Sequence, residues 1–333
     1  MYDKIIKLLL IFLIVFTPIA FGAMELWAFS LMELGILLII ILWAIQSLLR
    51  PALRRVQGSP EPDMVQGAFL SFSLCQPDSS KSCGACCGLY NWEEHSRKTL
   101  LSMLEKRSAL FLSLGRDPEI FQEVCAREMF HSNPKLLEEV YNCEFLGFLD
   151  GGKKRVGCLL HPSVNEGQDL RDHCFYGEEI CAGHHCPSHS HLTPVERKSV
   201  VLALEDWYLY GLVITDIDLV KDFFHQVQSR LGDSVREERM ENFQVREALR
   251  EFFTLKEYWK FASHRNRLGK YYFSCSEYQV ARIEYEKNWR IKPSRFDKIL
   301  ISLESDFQTR EDIFEAESII ERKITRFLRA YEG

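Results

Sequence analysis

The apolar residues of this 333-residue chain follow three rhythms, and each predicts a different kind of element. The first fifty positions are almost continuously apolar. No charged residue stands between Leu8 and Met24, and a second uncharged run extends from Leu34 to Leu49. A helix that crosses a bilayer needs about 20 mainly apolar residues. Ile5 and Ile6, and then Trp27 to Met32, lengthen the two runs toward that figure. The pattern predicts a transmembrane helical hairpin over residues 1–57, with Glu25, Trp27 and Glu33 near the far interface. Gly58-Ser-Pro-Glu-Pro-Asp63 then breaks the helix, because two prolines and turn formers cannot continue it.

The second rhythm is mixed. Trp92 to Leu114 reads as a helix that stops at Gly115. Asp117-Pro118 supplies an N-cap with proline in the first turn, and Asn133-Pro134 repeats the device. Glu144 to Leu149, a turn at Asp150-Gly151-Gly152, and Lys153 to Leu160 predict a β-hairpin. After Pro194 the period becomes 3.6. Val220, Phe223, Phe224, Val227 and Leu231 share one helical face that ends at Gly232. Val245, Leu249, Phe252 and Phe253 form another. Thr309 with Asp312 forms a capping box ahead of Ile313, Ile320, Ile324, Phe327 and Tyr331. The resulting fold class is mainly α with a small β-hairpin. Its parts are a transmembrane hairpin (1–57), a linker (58–74), a cysteine-cluster metal-binding domain (75–192) and a C-terminal helical domain (193–333).

Charge refines this picture. The chain carries 41 basic and 47 acidic residues, a net −6. Residues 1–57 alone are net positive, through Lys4, Lys7, Arg50, Arg54 and Arg55, so the rest is more acidic than the total. An acidic soluble part argues against nucleic acid as a partner. The basic residues at both ends of the apolar segment predict an inner-membrane protein with two spans and its soluble part in the cytoplasm. The expected partners are the lipid bilayer and a membrane or envelope protein.

Ten of the eleven cysteines fall between Cys75 and Cys186. Cys83-Gly-Ala-Cys86-Cys87-Gly88 is the spacing of a thiolate knuckle, in which glycine permits a turn tight enough to aim two sulfurs at one ion. Adjacent cysteines tend to point in different directions, so one of Cys86 and Cys87 serves a second site or none. The predicted hairpin brings Cys143 near Cys158, and Cys174, Cys181 and Cys186 follow. These eight, Cys83, Cys86, Cys87, Cys143, Cys158, Cys174, Cys181 and Cys186, are the expected metal ligands. Eight thiolates suit two four-coordinate sites, of zinc or of an iron–sulfur centre. In a reducing compartment such thiols favour metal over disulfides. Cys75 is left open. His184 and His185 are further ligand candidates, with His161, His189 and His191 behind them. Cys125 and Cys275 read as core thiols, and Tyr271-Tyr-Phe273 with Trp259 as core aromatics. Arg236-Glu-Glu-Arg239 reads as a solvated helix face.

Several of these motifs also carry a resemblance. Cys83-x-x-Cys86-Cys87, Cys143-Glu-Phe-Leu146, Gly157-Cys158-Leu-Leu-His-Pro162 and Leu170-Arg-Asp-His-Cys174, with Cys181 and Cys186 behind them, resemble the YkgJ-type cysteine-cluster proteins. That family is described as a zinc- or iron-chelating domain, and the resemblance implies the same for residues 75–190. Two positions depart from it. Ser79 stands where the family has a further cysteine, and His161-Pro162 where it has Arg-Pro. One branch of the family resembles flagellin lysine-N-methylases, which implies a protein-modifying enzyme. No glycine-rich nucleotide loop supports a methyl-donor site, since Gly151-Gly152 belongs to the hairpin turn. Phe16 to Ala28 resembles the opening of O-antigen ligase or polymerase-type membrane proteins, which implies an envelope-polysaccharide neighbourhood. No Ser-His-Asp, Walker or Rossmann arrangement occurs. Three functions follow: a membrane-anchored metal protein with a redox, electron-transfer or structural role, a metal-stapled interaction platform, or a methylase-like enzyme.

Overall fold

The computed structural model describes residues 73–128, 133–263, 270–272, 277–279 and 282–333. These belong to one unit spanning residues 71–333. Its N-terminal part is built on a helix, α1 (Arg97–Ser113), and a hairpin, β1 (Leu146–Phe148) with β2 (Val156–Cys158). α1 starts five residues later than the apolar period predicts. Trp92 pairs instead with Lys135 in a β-bridge, and the Ser96 side chain caps the helix by accepting from the Thr99 N–H. Gly115 follows in the left-handed region, at φ 67°.

Helix α2 (Pro118–Glu128) begins where its signal predicts, with Asp117 Oδ1 accepting from the N–H groups of Glu119 and Ile120. The matching signal at Asn133-Pro134 starts no helix. Its side chain is used elsewhere, exchanging hydrogen bonds with the backbone of Glu94. The hairpin pairs Leu146 with Cys158 and Phe148 with Val156. Its turn is longer than predicted because Asp150 accepts from the N–H groups of Lys154 and Arg155 while Lys153 sits at φ 56°.

Two short helices, α3 (Gly177–Gly183) and α4 (Ser188–His191), lead into the bundle. The bundle comprises α5 (Pro194–Ala203), α6 (Trp207–Ile214), α7 (Ile217–Leu231), α8 (Phe243–Phe253), α9 (Tyr285–Trp289), α10 (Asp297–Ser302) and α11 (Arg310–Glu332). The predicted faces are the buried ones. Val220, Phe223, Phe224 and Val227 of α7 meet Leu249, Phe252 and Phe253 of α8 and Ile320, Ile324 and Phe327 of α11 in one core. The Phe223 ring lies 4.4 Å from Phe252 and 5.1 Å from Phe327. Full burial of each such ring contributes roughly 1.5–3 kcal/mol. The Thr309/Asp312 capping box forms as predicted. A second hairpin, β3 (Lys270–Tyr272) with β4 (Glu277–Gln279), was not predicted from the sequence. Phe273, Cys275 and the side chains of Tyr271 and Tyr272 lie outside the described residues.

Two parts of the expected fold class are corrected. Among the described residues no helix is long and apolar enough to cross a membrane, so the transmembrane helical hairpin and the two-span inner-membrane localisation are overturned as structural statements. Residues 1–57, where the hairpin was predicted, lie outside the described residues. The reason among the helices present is that length and apolarity do not coincide. α11 has 23 residues but only one apolar stripe, while α6 is apolar all round but has eight residues. Eight residues span only about 12 Å. The expected metal-binding domain is corrected as well, since among the described residues no group of three or more His, Cys, Asp or Glu side chains is arranged to hold a metal ion.

Hydrogen bonds and ion pairs join the cysteine-bearing part to the bundle. Tyr90 Oη donates to the Tyr208 carbonyl at 2.9 Å and fits against Gly211, where any side chain would collide with it. Tyr210 Oη donates to the Leu74 carbonyl at 2.8 Å. Arg97 reaches both Asp206, the N-cap of α6, and Glu257 at 2.6 Å.

Candidate functional site

The cysteines sit on loops and element ends that converge on the hairpin. Ala85–Cys87 forms a 3-10 turn capped by Gly88, whose φ of 78° is left-handed. Gly84 packs onto the methyls of Leu146 and Val156, which would have to shift slightly to admit a Cβ. The preceding segment is tied to β2, since Ser82 Oγ accepts from the Val156 N–H and Gln76 Nε2 donates to the Val156 carbonyl. Backbone bonds then fix two cysteine pairs. The Cys83 N–H donates to the Cys75 carbonyl and the Cys143 N–H to the Cys87 carbonyl, each at 2.9 Å.

A buried asparagine pair holds the second of these in place. Asn91 Nδ2 donates to the carbonyls of Leu137 and Val140 and to Asn142 Oδ1, and its Oδ1 accepts from the Leu137 N–H. Asn142 Nδ2 returns a bond to the Asn91 carbonyl at 3.0 Å. Both residues are almost fully buried. Sequence reasoning passed over them, because an asparagine in a loop carries no sign of being a clamp.

None of the ten described cysteines is in a disulfide. Their electrostatic neighbours fall into two overlapping groups. Burial raises the Cys83 thiol well above its usual range, with Cys75 as the next cause and Cys186 adding to it. Burial also raises Cys75, followed by the proximity of Cys186. Cys86 is raised first by its hydrogen bond to Cys186. Cys186 goes the other way, to about 6, because the Cys86 thiol donates to it and the Ser188 hydroxyl and the N–H groups of Ser188 and His189 also point at it. Cys75, Cys83, Cys86 and Cys186 therefore form one set.

The second set gathers around Cys87. Burial raises Cys87, and the next causes are Cys158, Cys181 and Cys75, with Cys174 also contributing. Burial lifts Cys143 well above its usual range, with Cys87 next. Cys158 is raised to about 11 by burial, and Cys181 to about 12 by burial and then by its hydrogen bond with Cys174. The sulfurs of Cys174 and Cys181 are 3.4 Å apart. The two groups overlap, since Cys87 acts on Cys83 and Cys86, and Cys75 acts on Cys87.

The eight cysteines expected as ligands all lie in these two sets, and Cys75 joins them. His184 and His185 are exposed, and the His185 ring stacks edge-on with His189 at 5.1 Å rather than with a cysteine. His161 bonds to Ser163. Cys125 is buried among Phe111, Phe121 and Phe145 in the core beneath the lobe. A cleft of about 500 Å³ lies between α1 and the hairpin, lined by Phe111, Leu112, Phe148 and Lys153 among others, and contains no cysteine.

The donor chemistry suits a thiophilic metal. Sulfurs bound to one tetrahedral zinc at about 2.3 Å lie about 3.8 Å from each other. The 3.4 Å separation of Cys174 and Cys181 is near that edge and far from a disulfide bond. Among the described residues no group of three or more His, Cys, Asp or Glu side chains is arranged to hold a metal ion. Comparisons of the chain with protein-family models, with curated proteins and with solved structures find no match.

Proposed function

We propose that the cysteine lobe is a thiolate centre for zinc or an iron–sulfur cluster, with two ligand sets divided at the Cys86–Cys87 bond. The gathering of nine thiols from Cys75 to Cys186 carries the reading, since that number is enough for two four-coordinate sites. Cys75, Cys83, Cys86 and Cys186 would hold one ion or cluster, and Cys87, Cys158, Cys174 and Cys181, with Cys143 beside them, the other. The resemblance to the YkgJ-type cysteine-cluster proteins points the same way. Zinc would supply structural crosslinking, and an iron–sulfur cluster electron transfer.

The protein's own part is to keep these thiols close, shielded and tied to the hairpin and to Asn91. Anaerobic purification of the full chain, followed by metal and sulfide analysis and visible absorbance, tests the metal reading. Bound zinc, or iron with labile sulfide, is the expected result. Cys86→Ser and Cys87→Ser should each lose part of the metal, not all of it. A chain that retains no metal, takes up none when zinc or ferrous iron and sulfide are supplied, and reacts at every thiol overturns the reading.

A further inference from the structure

The cleft between α1 and the first hairpin has the make-up of a small-molecule site. Such sites measure about 300–1,000 Å³ and set a few fixed polar groups among apolar walls. This one holds about 500 Å³, walled by Phe111, Leu112, Phe148, Leu149 and Leu159. Leu112 is 59% exposed, so the fold leaves apolar surface open there. Four charged residues line the cleft, and three of them are already matched. Glu105 and Lys153 pair at 2.6 Å, and the Asp150 carboxylate accepts from the N–H groups of Lys154 and Arg155. Arg116 is the exception. Its Nη1 donates to the Val164 carbonyl at 2.6 Å, and among the described residues no carboxylate pairs with it. Its backbone is left-handed, at φ 63°, directly after Gly115 at φ 67°. A side chain held in that conformation is strained, and such strain gathers at functional sites. Asn165, next to Val164, also lines the cleft. It is 7% exposed, its Nδ2 donates to the carbonyls of Leu159 and His161, and its Oδ1 has no partner. A buried acceptor left unpaired is costly and calls for a donor from outside the chain.

We propose that this cleft binds a small apolar 2-hydroxy or 2-amino acid. Its carboxylate lies on Arg116, the adjacent O–H or N–H donates to Asn165 Oδ1, and its hydrocarbon body covers Phe111, Leu112 and Phe148. Each part of the ligand answers one unmet requirement of the site. A guanidinium has five N–H donors in a planar fork, so one bond to Val164 leaves donors free for a carboxylate. That same bond holds the side chain in place, which lowers the ordering cost of binding. Arg116 bonds to Val164 and Asn165 follows it in the chain, so cation and acceptor belong to one end of the cleft. A carboxylate and a donor on neighbouring carbons suit that end, and an aromatic or branched body suits the walls. No cysteine lines the cleft, so the site is independent of the proposed metal centre.

Isothermal titration calorimetry of the full chain with L-phenyllactate and L-phenylalanine tests the site. Two analogues serve as controls: 3-phenylpropionate, which lacks the donor, and L-phenyllactamide, which lacks the charge. At least one of the two acids is expected to bind with a Kd below about 1 mM. Each control is expected to bind about tenfold more weakly than phenyllactate, the value of one hydrogen bond to a charged or buried group. Arg116→Gln should weaken the acid about tenfold while the chain melts as the wild type does. Leu112→Asp, at an exposed position, should abolish binding, because it sets a carboxylate on the apolar wall. Failure of both acids to bind overturns the proposal. So does equal affinity for phenyllactate and either control, or wild-type affinity in Arg116→Gln. If Arg116→Gln fails to fold, the comparison of phenyllactate with its amide decides the role of the charge.

Discussion

Gly88 closes the turn that carries Cys86 and Cys87, and replacing it with alanine probes how rigidly the lobe is built. Two penalties meet there. Its φ of +78° is left-handed, and a Cβ would lie 2.4 Å from the Tyr141 carbonyl oxygen and 2.7 Å from Asn142 Cα. Neither obstacle is a side chain that can swing aside. Both are backbone, pinned by the Cys143-to-Cys87 bond and the Asn91–Asn142 clamp. The left-handed conformation costs an alanine about 1–2 kcal/mol, and forced overpacking adds about 1–3 kcal/mol. Gly88→Ala should therefore lose about 2–5 kcal/mol of stability. Two further glycines separate the terms. Gly115 has a φ of +67° but nothing within 4 Å of a built Cβ, so Gly115→Ala should lose only about 1–2 kcal/mol. Gly151 has neither a left-handed φ nor a neighbour, and Gly151→Ala should stay within about 0.5 kcal/mol of the wild type. Urea unfolding followed by circular dichroism gives the differences, provided the slopes agree. If Gly88→Ala is no less stable than Gly115→Ala, the backbone around Cys87 yields easily and the rigid-lobe argument fails.

Other expectations follow from the same contacts. Asn91→Ala removes an acceptor and three donor contacts from a buried site, and should lose about 2–4 kcal/mol in the same assay. A loss below about 1 kcal/mol would show the clamp to be dispensable. Tyr210→Phe leaves the buried Leu74 carbonyl without its donor and should lower stability by about 1–2 kcal/mol, read as a shift in the urea midpoint at constant slope. The metal-free chain should also weaken in alkali. Burial raises Cys158 to about 11 and Cys181 to about 12, whereas unfolded thiols titrate near about 8.5. An acid whose folded pKa is raised contributes stability that is intact below its unfolded value and is lost as pH climbs toward the folded value. The urea midpoint should therefore fall from about pH 8.5 upward, and a midpoint that holds or rises there would refute the assignment of both thiols as buried and protonated.

By itself the sequence determined the parts governed by local chemistry. The faces of α7, α8 and α11 were legible because an apolar period of 3.6 must be buried somewhere, and the same residues are buried. The caps at Asp117 and at Thr309 with Asp312 were legible because a side-chain oxygen beside free N–H groups acts over three residues. The same signal misled at Asn133, where a residue 39 positions away took the side chain. Only the tertiary structure decided which cysteines come near one another. Cys87 meets Cys158, and Cys86 meets Cys186, through loop closures of some seventy to a hundred residues that no spacing rule encodes. It also decided that Asn91 would clamp the lobe and that Arg107 would be buried beneath it. Both are polar residues whose fate depends on what surrounds them, since burial is a property of the packed molecule and not of the residue.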